Sequence, residues 1–190
     1  MHARRAFVLQ TIALAAFPAA AAKRPPPPKT ANIRWPGPGH ALHGYMAIPG
    51  GARGAQPAVL VVHDAGGADA FTRSLTDALA LAGFVACAPH QLASLEEAVA
   101  TVRWLATNAY ATGRVGAIGL GWGGALVERV AAAPQTQLSA AITFGASEAA
   151  SAGASVPSLR LNAIGQLSGE SYAQTLSQAI AFLDRHLRGS

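Results

Sequence analysis

The segment that most restricts this chain is Gly119-Leu120-Gly121-Trp122-Gly123-Gly124. It follows the apolar run Val115 to Leu120 and opens the helical pattern Ala125 to Ala133. A strand that turns at once into a helix needs glycine where the backbone reverses and where helix and strand approach closely. The strand then belongs inside a sheet, with the helix lying on the sheet's face.

The rest of the chain repeats that alternation. Strands are expected at Leu42 to Ile48, Pro57 to Val62, Phe84 to Ala88, Arg114 to Leu120, Leu138 to Phe144 and Pro157 to Ala163. Helices are expected at Phe71 to Leu81, Leu95 to Ala106, Trp122 to Ala133 and Ser171 to Leu187. Continuous β-branched runs such as Pro57 to Val62 suit strands buried on both faces. The pattern predicts an α/β fold, a mostly parallel sheet with right-handed crossovers and helices on both faces. Trp104 and Trp122 are expected to pack, and Ala146 to Ser155 to form a loop. Cys87, the single cysteine, falls in a buried strand and excludes an intramolecular disulfide.

The formal charge of +5 is misleading. Residues 1–34 carry Arg4, Arg5, Lys23, Arg24, Lys29 and Arg34 and no acid, which leaves eight basic and nine acidic residues beyond them. The fold itself is therefore near neutral, and no nucleic-acid surface is expected. No apolar stretch after the N-terminal region reaches the ~20 residues of a membrane span.

Residues 1–22 are expected to form an export signal. Arg4-Arg5-Ala6-Phe7-Val8 is similar to a twin-arginine motif, followed by a mildly apolar stretch and by Ala19 to Ala22 as a cleavage region. The expected destination is periplasmic or secreted. Residues 23–39, with Pro25 to Pro28 and Pro36-Gly37-Pro38-Gly39, are expected to be a linker, and residues 40–190 the domain.

In an open parallel sheet, chemistry gathers at the carboxyl ends of the strands. His63-Asp64-Ala65-Gly66-Gly67, His90, Gly119 to Gly124 and the loop after Ala163 occupy those ends. With these stand Gly44-Tyr45-Met46-Ala47-Ile48-Pro49, Leu79 to Pro89, Ala98 to Leu105, Arg114-Val115-Gly116 and Phe182 to Leu187. In this order and spacing, over most of residues 44–188, the chain resembles the dienelactone hydrolase family of α/β-hydrolases.

The resemblance implies a nucleophile at G-x-C-x-G-G, an Asp after the penultimate strand and a His before the last helix. This chain has Gly121 at the nucleophile position, no Asp in Ile164 to Ser168 and no His in Ser168 to Tyr172. Asp64 stands where the family often has Glu, and His90 where it usually has Asp. The lid excursion before the Leu95 helix is nearly absent. Acyl transfer needs a nucleophile, a base and a group that orients the base. None is identifiable here, so the chain is expected to be a triad-less hydrolase relative.

What the resemblance leaves is backbone. The N–H groups of Ala65 and Trp122 lie where the family builds its oxyanion hole, and a small carboxylate or ester is the expected ligand. His63, Asp64 and His90 are further pocket candidates. No cofactor and no metal are assigned, and the oligomeric state is left open. One alternative is an active esterase or lactonase using Ser168, Glu170 or His90. Another is dinucleotide binding, because Gly119 to Gly124 also satisfies G-x-G-x-x-G with Glu148 near the end of the next strand.

Overall fold

The computed structural model describes residues 25–134, 136–145, 155–162 and 169–189. The elements run β1 (Lys29–Pro36), β2 (Ala41–Ile48), β3 (Gln56–Val62), α1 (Ala70–Leu81), β4 (Val85–Pro89), α2 (Leu95–Thr107), β5 (Ala111–Leu120), α3 (Trp122–Ala132), β6 (Leu138–Phe144), β7 (Ser158–Leu161) and α4 (Gly169–Leu187). One seven-stranded sheet has the order β1-β2-β4-β3-β5-β6-β7. The pairs β4–β3, β3–β5, β5–β6 and β6–β7 are parallel; β1–β2 and β2–β4 are antiparallel.

Strand alternation sorts the core into two layers. Ala58, Leu60 and Val62 of β3 join Ala98, Val102 and Leu105 of α2 and Leu126, Val127 and Val130 of α3. Val59 and Val61 of the same strand join Leu75 and Leu79 of α1 and Ala179, Leu183 and Leu187 of α4. Helices therefore cover both faces, and the starts of α1 and α2 are fixed by local caps. The Asp69 carboxylate accepts the Thr72 N–H at 2.8 Å and caps α1. Ser94 caps α2 through the Glu97 N–H, while the Glu97 carboxylate reaches back to the Ala93 N–H at 2.6 Å. That exchange is a variant of the capping box that Ser94-Leu95-Glu96-Glu97 encodes.

The structure corrects the expected linker of residues 23–39. Lys29–Pro36 is an eight-residue strand, paired with β2 along its whole length. Its anchor is Trp35, 2% exposed, which stacks on Trp104 with ring centroids 5.0 Å apart and donates Nε1–H to Thr101 Oγ1 at 3.1 Å. The prolines stop the strand at its ends rather than filling it. β5 likewise begins at Ala111, before the expected Arg114, because Gln56 pairs with Ala111. The loop at residues 146–154 and the export signal lie outside the described residues.

Candidate functional site

Three strand ends meet at the site. β3 delivers His63 and Asp64, its neighbour β4 delivers His90, and β5 delivers Gly121 at the mouth of α3. Between β4 and α2 only residues 90–94 intervene, so no lid rises there.

Gly121 makes the turn at φ 51°, ψ −116°, a conformation L side chains rarely adopt. Its N–H donates to the Phe144 carbonyl at 2.9 Å, and its carbonyl accepts from the Gly124 N–H at 3.0 Å. The neighbouring glycines answer to close packing. A Cβ on Gly119 would lie 2.5 Å from the Gly124 Cα, and one on Gly123 would strike the Val62 and His63 carbonyls. The hexapeptide is thus glycine-rich because α3 lies directly on β5 and β3.

The two backbone donors converge on one atom. Asp64 Oδ1 accepts the Trp122 N–H at 2.9 Å and the Ala65 N–H at 2.8 Å. Both distances fall in the range of an oxyanion hole. The oxygen held there belongs to the chain itself. The two hydrogen bonds, that of Trp122 first, hold the Asp64 carboxyl below the ordinary carboxylate range, with His63 adding a smaller lowering and burial opposing them. The amino end of α3 favours the same negative charge. Asp64 also fills the space beside Gly121. A Cβ built on Gly121 would lie 2.5 Å from Asp64 Oδ2, far inside van der Waals contact.

His63 is 5% exposed, and its Nδ1 lies 2.5 Å from the Asp64 carbonyl. His90 donates its backbone N–H to the His43 carbonyl, and its own carbonyl accepts from the Ala68 N–H. His90 does not simply face solvent. Its Nε2, like that of His63, is buried without a hydrogen-bond partner among the described residues. Trp122 is corrected in the other sense, with 48% of its surface exposed at the rim, whereas Trp104 packs on Trp35. Glu170, in the first turn of α4, is exposed and accepts from Gln174. Ser168, the loop after Ala163 and Glu148 lie outside the described residues. Among the described residues no group of three or more His, Cys, Asp or Glu converges as a metal site, and no helix is long and apolar enough to cross a membrane.

The role of Asp64 escaped sequence reasoning because its partner lies 58 residues away. The available signal was a matched pair, a short acid at the β3 turn and an absent side chain at the β5 turn.

Two family models match the chain, the X-Pro dipeptidyl-peptidase (S15 family) over residues 78–176 and the dienelactone hydrolase family over residues 42–94. No curated protein matches significantly. Among solved structures, a dienelactone hydrolase from Anabaena variabilis superposes with a TM-score of 0.70 at 16% identity, covering 85% of this chain and 99% of that one. A dienelactone hydrolase-like promiscuous phosphotriesterase from metagenomic libraries gives 0.60 at 19% identity, covering 82% and 77%. A Klebsiella pneumoniae protein described as a dienelactone hydrolase gives 0.58 at 21% identity, covering 81% and 80%. The first model covers just over half of the chain and overlaps the second at residues 78–94; with this fold, the chain belongs to the α/β-hydrolase superfamily and is similar to its dienelactone hydrolases.

Proposed function

We propose that this protein is an exported member of the family that has abandoned acyl transfer, its oxyanion site closed by its own Asp64. The observation that carries this reading is the Asp64 Oδ1 atom, bound by both the Trp122 and the Ala65 N–H. A substrate carbonyl needs those same donors as its oxygen becomes negative. A tethered, ionised carboxylate already holds them, at an effective concentration no dissolved ester can match. The nucleophile is absent at Gly121, and a Cβ there would meet the Asp64 carboxylate where it now lies.

The expected carboxylate or ester ligand is correspondingly restricted. It reaches the Trp122 and Ala65 amides only by displacing Asp64. The sequence supports export through Arg4-Arg5-Ala6-Phe7-Val8.

A p-nitrophenyl ester assay on purified protein tests the reading. Hydrolysis is expected at the buffer rate, and it stays there in Gly121→Cys, because no His stands at the family position to activate a thiol. Saturable turnover by the wild-type protein, lost on changing His90 or Ser168, would instead establish a working esterase.

A further inference from the structure

Neither His63 nor His90 donates to the Asp64 carboxylate, and each buries an imidazole Nε2 that has no hydrogen-bond partner among the described residues. We infer that together they form a site for one soft monovalent metal ion of the copper(I) class. The ion would be held by the two Nε2 atoms between the ends of β3 and β4.

Placement comes from register. β3 and β4 are parallel neighbours with Ala58 opposite Val85, Val59 opposite Ala86 and Leu60 opposite Cys87. Continued to the strand ends, the same offset sets His63 opposite His90, on backbones about 4.8 Å apart. Strand alternation gives both the phase of Val59, Val61, Ala86 and Ala88, the layer beneath α1 and α4. The 64–69 turn folds over them, with the Gly67 N–H donating to the Asp64 carbonyl and the Ala68 N–H to the His90 carbonyl.

The state of His63 is fixed by its neighbour. Nδ1 lies 2.5 Å from the Asp64 carbonyl, which can only accept, so Nδ1 carries a proton and, in the neutral ring, Nε2 presents the lone pair. A buried lone pair on an imidazole whose other nitrogen donates to a backbone carbonyl is the arrangement of a metal-binding histidine.

The choice of ion follows from charge and ligand number. Among the described residues no third His, Cys, Asp or Glu joins the pair, which disfavours four-coordinate zinc. A ligating imidazole brings no charge of its own, and the Born cost of burying an ion rises with the square of its charge, so a divalent ion pays about four times as much as a monovalent one. The nearby Asp64 carboxylate supplies one compensating negative charge. Cys87 belongs to the opposite layer, and burial drives its thiol pKa far above the ordinary value, so sulfur is not offered.

The test is an anaerobic titration of the full, metal-free chain with copper(I) against the chromophoric chelator bicinchoninate. One ion per chain is expected, with a nitrogen-only shell by X-ray absorption. His63→Gln and His90→Gln should each weaken binding by more than about 100-fold, beyond the usual cost of an outer-shell partner. His43→Gln, on the adjacent strand, should leave it unchanged. Circular dichroism and melting of each variant separate lost binding from lost folding. Should His63→Gln unfold, His90→Gln alone decides the matter. No saturable binding, sulfur in the shell, retention by a folded His variant, or zinc(II) bound as tightly would each overturn the proposal. These readouts are independent of ester turnover.

Discussion

Gly121 and Asp64 act as a pair, and their energetics can be separated. Gly121→Ala places a Cβ 2.5 Å from Asp64 Oδ2 on a backbone with φ 51°. It should destabilise the fold by about 1–3 kcal/mol from backbone strain, with the clash in addition. Asp64→Gly removes the clash but uncovers two amides, at a cost of about 1 kcal/mol as for a lost cap. The double variant should cost less than the sum of the two, because one change removes the obstacle that the other meets. Urea unfolding of the four proteins measures this coupling, and strict additivity would deny the contact.

The acids also set a pH dependence. Asp64 and Asp69 both have lowered carboxyl pKa values, Asp69 through hydrogen bonds from the Thr72 N–H and hydroxyl. Their contribution is fully present above the unfolded Asp value of about 3.9 and is lost as pH falls through the lower folded values. Unfolding midpoints measured from pH 7 to pH 2 should decline over that acid window, and less so in Asp64→Asn and Asp69→Asn. Solvent screening at Asp64 keeps its share small.

Among the elements, β1 departs furthest from its local sequence signals. The helix α2 was legible from the apolar spacing of Leu95 to Ala106, and buried strands such as β3 because every residue from Pro57 to Val62 is apolar. β1 was hidden because Pro25 to Pro28 and Pro36 suggested a linker, while its stabilising partners, Thr101 and Trp104, lie on a distant helix. Trp35→Ala should therefore destabilise the whole domain, by about 3–5 kcal/mol if the cavity does not collapse. A thermal melt of that variant, beside one of a chain beginning at His40, checks whether β1 belongs to the cooperative unit. Unchanged melting of both would return residues 29–36 to the status of a linker. The same limit applies at the site, where sequence located the turns but not the occupant of the gap between them.

At the scale of the whole molecule, the basic excess lies in residues 1–34 and the fold is near neutral. If Arg4-Arg5 directs export, changing both to Lys should abolish translocation and leave precursor in the cytoplasm, as cell fractionation would show. The dienelactone hydrolase scaffold persists in this chain through its two core layers and its glycine-packed α3, and neither depends on a nucleophile. On the proposed reading fold and chemistry are separable here, as they are across superfolds generally. The central claim is that the Asp64 carboxylate holds the Trp122 and Ala65 amides. An NMR pH titration following those two amide signals tests it most directly. Both should move together with a midpoint below about 3.9, and neither should respond to added acetate at neutral pH. Amides that shift on adding acetate, or that ignore the titration of Asp64, would contradict the account.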